Sequence, residues 1–139
     1  MEEVKDTRRA VVRIAYDGRV FKTFKGHQAQ ERCDNEIRVL KFLEGRGCSF
    51  VPKILEGTNA ETRILVTSNC GRRVDHLSEK KMLSLFKDLE GFGVRHEDVA
   101  QRNVTYRHAD GRFCIIDFEF ATILDDPTHQ SPIAWPHSK

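Results

Sequence analysis

Three polar residues in the second half of the chain have the types and spacing of a site that binds a metal ion and phosphate. Asp98 precedes Asn103 by five positions, and Asp117 follows a segment that predicts a β-hairpin with strands at 103–107 and 112–116. The symmetry of such a hairpin places Asn103 and Asp117 side by side at its open end. Carboxylate and amide oxygens are hard ligands, so we expect Mg²⁺ and phosphate oxygens to bind where these side chains converge.

The same three residues also fit ordinary structural roles. An aspartate often ends a turn, an asparagine often starts a strand, and an aspartate often caps one. None of these roles needs a ligand, so the residues alone leave both interpretations open.

A glutamate in the first half of the chain is predicted to need a cationic partner. Residues 28–44 have apolar positions at helical spacing, and Glu36 lies on or beside the apolar stripe, where an unpaired carboxylate is costly. Residues 10–25 predict another hairpin, whose strand alternation places Lys22 on one face and Lys25 on the opposite face. The first half therefore offers two lysines on different sides of one strand.

Two further strands and a second helix are predicted between these regions. Residues 53–56 and 63–67 are strand-like segments on either side of a polar turn. Ser78 suits the N-cap of a helix that extends to Glu90. The combination of short strands and two helices predicts an α+β fold.

Length and composition limit the size of the protein and its partners. The 139 residues suit one domain, and the net charge of +2 is spread too evenly to give the basic field that nucleic-acid binding needs. Residues 1–9 are charged, and no stretch has the ~18 apolar residues of a membrane span, so we expect a cytoplasmic protein with no membrane partner. The cysteines form no C-x-x-C pair and are expected to be free, mostly buried thiols. They are Cys33, Cys48, Cys70 and Cys114.

Two segments resemble the catalytic and metal-binding motifs of the protein kinase-like superfamily. Residues 96–103, HEDVAQRN, are similar to the catalytic loop H-x-D-x-x-x-x-N, and residues 115–119, IIDFE, are similar to the D-F-G segment. The glycine of D-F-G is replaced by Glu119, a pattern similar to that of choline kinase-like small-molecule kinases. The whole resemblance covers residues 10–124.

Three upstream segments extend the resemblance. Residues 20–22, VFK, resemble the strand that carries the phosphate-binding lysine, and residues 35–40, NEIRVL, resemble the helix that carries its glutamate partner. The resemblance therefore implies that Lys22 is the cation for Glu36. Residues 65–71, LVTSNCG, look like the last strand of the small lobe and the hinge that binds adenine through main-chain groups.

The resemblance implies an ATP- and Mg²⁺-dependent phosphotransferase. Lys22 would hold the α- and β-phosphates, Glu36 would orient Lys22, and Asp98 would orient or deprotonate the acceptor hydroxyl. Asn103 and Asp117 would bind both the metal ion and the nucleotide. The remaining nucleotide-binding positions would be Val20, Thr67 and Asn69.

The chain departs from the family pattern in ways that predict a reduced fold. No glycine-rich loop is present, and the tight Asp17-Gly18 hairpin stands in its place, so we expect modest nucleotide affinity. One kinase-like domain is expected over residues 1–139. Its parts would be a small β-sheet lobe with one helix and the hinge at 10–70, a truncated second lobe with the catalytic-loop hairpin at 71–124, and an extended tail at 125–139.

Other functions fit the same residues. The absent glycine-rich loop and substrate platform also suit a non-catalytic pseudokinase, which would bind nucleotide and act as a regulatory or interaction module. An unrelated α+β structural domain is a third interpretation. The phosphoacceptor stays open among a protein side chain, a small alcohol, the protein itself and water, and a second copy or another chain could complete the site.

Several residues outside these roles carry weaker expectations. His96 is expected to brace the catalytic loop rather than to take a proton. Arg72 and Arg73 are expected to form a solvated turn, with contact to an acidic substrate as the alternative. Trp135 either packs on the body of the domain or engages a partner.

Overall fold

The periodicities of the sequence give a mixed fold of two helices and three small antiparallel sheets within residues 2–132, the part that the computed structural model describes. The helices are α1 (Ala29–Gly45) and α2 (Glu79–Gly91). The strands are β1 (Glu2–Asp6), β2 (Ala10–Ile14), β3 (Val20–Phe24), β4 (Ile64–Thr67), β5 (Arg72–Arg73), β6 (Val94–Arg95), β7 (Val104–Arg107), β8 (Arg112–Ile115) and β9 (Thr122–Ile123).

The first sheet has the strand order β1-β2-β3-β4, and its centre is the predicted hairpin. Gly18, at φ 89°, allows the tight turn between β2 and β3, and the register pairs Ile14 with Val20. The sequence did not predict β1, because its residues, EEVKD, contain a single apolar side chain. β1 nevertheless pairs along β2 and becomes the edge strand of the sheet.

The prediction of a strand at residues 53–56 is wrong. The strand predicted at 63–67 is present, but it begins one residue later than predicted, at Ile64. Only Ile54 forms a bridge, to Thr67, and the chain turns away at Gly57, where φ is 104°. The β4 strand starts at Ile64 because Arg63 has a left-handed backbone with φ 57°. The first segment therefore pairs at one position only, with backbone hydrogen bonds from Leu55 to Val66 and from Ser68 to Lys53 on either side of it.

The two helices bury the apolar stripes that predicted them. In α1, Cys33, Leu40 and Leu43 are buried as the helix packs on β3 and β4. At the start of α2, the Ser78 hydroxyl accepts a hydrogen bond from the Lys81 N–H at 3.1 Å, which confirms the predicted N-cap. Neither helix is long and apolar enough to cross a membrane.

The second sheet, β5-β7-β8, contains the predicted catalytic-loop hairpin, but its register differs from the prediction by one residue. Val104 pairs with Ile115, and the Ile116 N–H donates to the Asn103 carbonyl at 2.9 Å. Asn103 is therefore opposite Ile116 rather than Asp117, because the turn contains four residues, 108–111, and is not centred on one residue. Asp117 lies just beyond the last pair.

The hinge side of this sheet also differs from the prediction. Arg72 and Arg73 are exposed as expected, but they form β5 rather than a turn, and Arg72 pairs with Tyr106 of β7. Gly71 allows this approach, because a Cβ atom at that position would lie 1.9 Å from the Tyr106 carbonyl oxygen. The chain between the two sheets is thus held against β7.

The described part of the predicted tail, residues 125–132, packs against α1 and the segment after β8. The His129 ring contacts Asn35 Oδ1 at 2.6 Å and accepts the Ile123 N–H at 3.0 Å. The Ser131 hydroxyl donates to the Phe120 carbonyl. The expectation for Trp135 lies outside the described residues. As predicted, all four cysteines are free and buried.

Candidate active site

The predicted contact between Lys22 and Glu36 is present. Lys22 Nζ donates to Glu36 Oε1 at 2.8 Å, and both side chains are buried. Strand alternation turns Lys22 toward α1, while Lys25, on the opposite face, pairs with Asp6 at the surface. The lysine that strand alternation selects and the glutamate that helical periodicity selects therefore form one buried ion pair.

Asp117 joins this pair from the segment that follows β8. Lys22 Nζ also donates to Asp117 Oδ1 at 3.1 Å, and Lys5 Nζ lies 3.5 Å from Asp117 Oδ2. The backbone of Asp117 is left-handed, at φ 64°, a conformation that occurs in non-glycine residues mostly where the surrounding contacts enforce it. One carboxylate therefore receives two ammonium groups, one on each oxygen.

The charges of these groups shift their protonation equilibria. Burial opposes the charge on Lys22, but Glu36 and Asp117 outweigh burial and raise the pKa of the ammonium. Burial also opposes the charge on Asp117, yet Lys22 and then Lys5 hold the pKa of that carboxyl well below its usual range. Burial raises the pKa of Glu36, and the Lys22 ammonium opposes that rise. Asp117 is consequently an anion at neutral pH.

Glu119 occupies a fixed place in the same cluster. Its Oε2 accepts a hydrogen bond from Arg32 Nη1 at 3.1 Å and lies 3.8 Å from Lys22 Nζ. Arg32 is only 1% exposed, and its guanidinium also donates to the carbonyls of His27 and Lys25. Three cations thus face three carboxylates in one cluster. They are Lys5, Lys22 and Arg32 against Glu36, Asp117 and Glu119.

Helix α1 also holds the backbone of the segment after β8. Glu36 Oε2 accepts the Phe118 N–H at 2.9 Å, so both oxygens of this carboxylate are used. Asn35 Nδ2 donates to the Glu119 and Ala121 carbonyls, each at 3.0 Å. The position of Asp117 therefore depends on consecutive residues of one helix as well as on its own ion pairs.

The catalytic-loop motif brings Asp98 and Asn103 together. Asn103 Nδ2 donates to the Asp98 carbonyl at 2.9 Å and to Asp98 Oδ2 at 3.1 Å. Arg102 Nη2 donates to both carboxylate oxygens of Asp98, each at 2.7 Å. Since the amide nitrogen of Asn103 is engaged inside the loop, the amide oxygen is the atom left for a ligand.

His96 has the bracing geometry that the sequence predicted. Its Nε2 contacts the Ile116 carbonyl at 2.8 Å, and its Nδ1 accepts the Asp98 N–H at 3.2 Å. Phe86 and Phe118 pack edge-on against the ring. Burial lowers the pKa of His96, so the neutral ring links Asp98 to Ile116, the residue that follows β8.

The predicted adenine-side residues lie at one end of the first sheet. Val20 pairs with Thr67 across β3 and β4, two positions along the strand from Lys22. Thr67 is buried, whereas Asn69 is exposed and its side-chain oxygen accepts the Gly71 N–H at 2.8 Å. Val20 and Thr67 therefore lie on the same face of the sheet as Lys22, and Asn69 follows the end of β4.

The first sheet has one more hairpin than the sequence predicted, and it precedes the Asp17-Gly18 hairpin. Because β1 precedes β2, the first hairpin of the sheet is β1–β2, and its turn is at residues 7–9. The Asp17-Gly18 turn lies at the other end of the strands, next to Val20.

Sequence reasoning missed several residues of this region. Arg32 lies four positions before Glu36, one helical turn away, and that spacing was a usable signal for a charge on the buried stripe. Arg102 precedes Asn103 and had no assigned partner. Lys5 had no signal at all, since its strand was not predicted.

Two oxygen groups of this region have the chemistry that Mg²⁺ takes, although each Asp117 oxygen faces a lysine ammonium. Among residues 2–132, no three or more histidine, cysteine, aspartate or glutamate side chains group in a way that could hold a metal ion. The anionic Asp117 carboxylate and the free amide oxygen of Asn103 are hard oxygen donors of the kind Mg²⁺ takes when phosphates and waters supply the remainder.

Comparison with solved structures shows that the fold of this chain is similar to that of a known protein. No protein-family model matches the sequence, and no curated protein matches it. Among solved structures, the chain resembles WbdD, which was co-crystallised with the kinase inhibitor LY294002, with a TM-score of 0.62 and 24% identity. The match covers 92% of this chain and 34% of the WbdD chain, so this chain spans about a third of the length of WbdD. The likeness agrees with a kinase-like fold and leaves the roles of individual residues open.

Proposed function

We propose that the chain is the nucleotide-binding centre of an ATP- and Mg²⁺-dependent phosphotransferase that acts on a hydroxyl acceptor. The observation that carries the proposal is the convergence of Lys22, Glu36 and Asp117 from three separate elements, within 3.1 Å of one ammonium. Buried ion pairs add little to stability compared with apolar packing, so a cluster of them beside partly exposed loops favours a functional site.

Lys22 would hold phosphate oxygens, and Glu36 would orient it. The carboxylate of Glu36 fixes the direction of the Lys22 side chain at 2.8 Å, while the Phe118 N–H fixes the carboxylate itself. A cation that is already oriented needs little reorganisation when it receives a charged group. This pair would therefore position the phosphates rather than take part in proton transfer.

Asp117 and Asn103 would hold Mg²⁺. The metal ion would neutralise charge on the phosphate oxygens and would align them. Lys22 and Lys5 keep the Asp117 carboxylate ionised, and the left-handed backbone of Asp117 directs it toward the lysine side chains. Asn103 takes its orientation from Asp98, so both donors would be set before the ligand arrives.

Asp98 would receive the acceptor hydroxyl. Its side chain is 42% exposed, so a substrate can reach it from solvent. Arg102 holds the two carboxylate oxygens, which orients the group. The acceptor hydroxyl would give its proton to Asp98, and its oxygen would form a bond to the terminal phosphorus of ATP. The bond from that phosphorus to the bridging oxygen would break, and ADP would leave.

The nucleotide base would bind at the Val20 and Thr67 end of the first sheet, with Asn69 at its rim. In this proposal, residues 10–70 form the small lobe and hinge, 71–124 form a truncated second lobe, and 125–139 form a tail. The acceptor is a protein or a small molecule, and a second copy or another chain would complete the acceptor side. The likeness to a protein crystallised with a kinase inhibitor supports a nucleotide-binding site in this fold.

A non-catalytic nucleotide-binding module is the second candidate, and one contact favours it. Arg102 Nη2 bonds both oxygens of Asp98, which leaves that carboxylate less available to an acceptor proton. A pseudokinase would keep Lys22, Glu36 and Asp117 for nucleotide binding and would transfer no phosphate.

A turnover assay distinguishes the two candidates. The protein is incubated with Mg²⁺ and γ-labelled ATP, alone and with protein and small-alcohol acceptors, and its own mass is measured for added phosphate. We expect transfer or hydrolysis that Asp98→Asn reduces, while Asp88→Asn, at an exposed position of α2, leaves the rate unchanged. ATP binding without transfer to any acceptor, to the protein or to water would reject the phosphotransferase and favour the pseudokinase.

A further inference from the structure

Lys5 lies in the same row of the first sheet as Lys22. The register pairs Lys5 with Val12 and Val12 with Lys22, so the two lysines occupy alternate strands on one face. Neighbouring strands are roughly 4.8 Å apart, which separates the two lysine backbones by about 10 Å. Both side chains nevertheless reach the same carboxylate, that of Asp117.

A β-bulge places Lys5 in this row. The pairing of β1 with β2 shifts by one residue between Glu3 and Lys5, so that Lys5 rather than residue 4 is opposite Val12. A shift of one residue exchanges the faces of a strand, and bulges commonly redirect side chains next to functional sites. Without the shift, Lys5 would face away from Asp117.

The turn that follows Lys5 has little main chain to offer an anion. The Thr7 hydroxyl accepts the N–H groups of Arg9 and Ala10, at 3.2 and 3.3 Å. The turn is also held in place, because a Cβ atom on Gly26 would lie 2.6 Å from the Arg8 carbonyl oxygen. A glycine-rich loop binds phosphate with such N–H groups, so here a side chain would have to supply the contact.

The two lysines are not equally fixed. Lys22 is buried against Glu36, whereas the Lys5 side chain is 32% exposed, and its 3.5 Å separation from Asp117 is that of an ion pair without a close hydrogen bond. Mg²⁺ at Asp117 would repel both ammonium groups. The two lysines have the same long, flexible stem, but only Lys5 is exposed enough to move to a new anion.

We propose that Lys5 is a second phosphate-binding residue, which pairs with Asp117 in the absence of ligand and transfers to a phosphate oxygen when Mg²⁺ and nucleotide bind. This inference rests on the proposed nucleotide site. It assigns the phosphate contact at the β1–β2 hairpin to a side chain from the strand instead of to main-chain N–H groups.

Calorimetric titrations of Lys5→Met with adenosine, ADP and ATP in Mg²⁺ test the inference. We expect ATP affinity to fall about tenfold, because a charge-assisted contact is lost, while adenosine affinity stays within about twofold. Lys25→Met is the matched control, since Lys25 belongs to the same sheet end but pairs with Asp6 on the other face, and it should leave ATP affinity unchanged. Lys5→Arg, which keeps the charge, should bind ATP within about threefold of the wild type.

The outcomes separate this inference from the proposed function. If the wild type binds ATP and Lys5→Met binds it equally well or more tightly, Lys5 merely neutralises Asp117 and the inference is wrong. Equal losses in Lys5→Arg and Lys5→Met would also reject it, because charge would then not be the property that binds phosphate. A wild type that is folded by circular dichroism and binds no adenine nucleotide would reject the proposed function itself.

Discussion

Lys22 Nζ lies 2.8 Å from Glu36 Oε1, and the two side chains are 10% and 4% exposed. Few waters can replace either partner, so each charge depends on the other for its stability. Asp117 adds a second carboxylate to the same ammonium at 3.1 Å. The pair is therefore both a structural link between β3 and α1 and the anchor of the segment that carries Asp117.

The first prediction concerns the stability of this pair. Lys22→Met and Glu36→Ala should each lower the free energy of unfolding by about 1 to 3 kcal/mol, because each leaves a buried polar partner unsatisfied. The double mutant should cost less than the sum, with a coupling of about 0.5 kcal/mol or more. Denaturant melts of the four proteins measure this coupling, and strict additivity would show that the two groups do not interact in solution. Lys25→Met, at the surface, is the control.

The second prediction concerns Arg32 and Glu119. Arg32→Met should destabilise the protein by about 3 kcal/mol or more, because it leaves the Glu119 carboxylate beside the other two acids of the cluster with one cation fewer. Glu119→Gln should cost less, since an amide oxygen can still accept from the guanidinium. Thermal or denaturant unfolding gives both values. An Arg32→Met protein as stable as the wild type would show that the ion pair of Arg32 with Glu119 does not stabilise the fold.

The third prediction concerns Asp98, whose side chain bonds Arg102 and Asn103. Asp98→Asn should leave ATP affinity within a few fold and lower phosphoryl transfer by about 10² or more, the range of a positioned base. Equal turnover by Asp98→Asn and the wild type would exclude Asp98 from catalysis.

The fold and the site were predictable where a residue pattern had a period. The apolar spacing of α1 and the alternation of β3 were enough to predict that Glu36 and Lys22 would meet. The charged β1 had no such period, and its bulge moves Lys5 to the site by a shift that only pairing with β2 can define. The hairpin between Asn103 and Asp117 was predicted, but its register depended on the number of residues in the turn.

The fourth prediction concerns acid stability. Burial lowers the pKa of both His96 and His129 below the ordinary 6.5. As the pH falls, these histidines are therefore protonated in the unfolded chain before they are protonated in the folded one. Stability should therefore fall as the pH drops from about 7.5 to 5.5, by at most about 1.4 kcal/mol per pH unit for each histidine. His96→Asn and His129→Asn should each flatten this slope in denaturant melts. Slopes as steep in the double variant as in the wild type would assign the effect to other groups.

The most direct test of the nucleotide site is a calorimetric titration with ATP in Mg²⁺ and again in EDTA. We expect the wild type to bind ATP in Mg²⁺ and to bind it more weakly in EDTA. Asp117→Ala should weaken this dependence on Mg²⁺ more than Asn103→Ala does, because a carboxylate carries a charge that an amide lacks. A folded wild type with no ATP affinity at millimolar concentration, on the order of 4 kcal/mol of binding free energy, would contradict both the phosphotransferase and the pseudokinase.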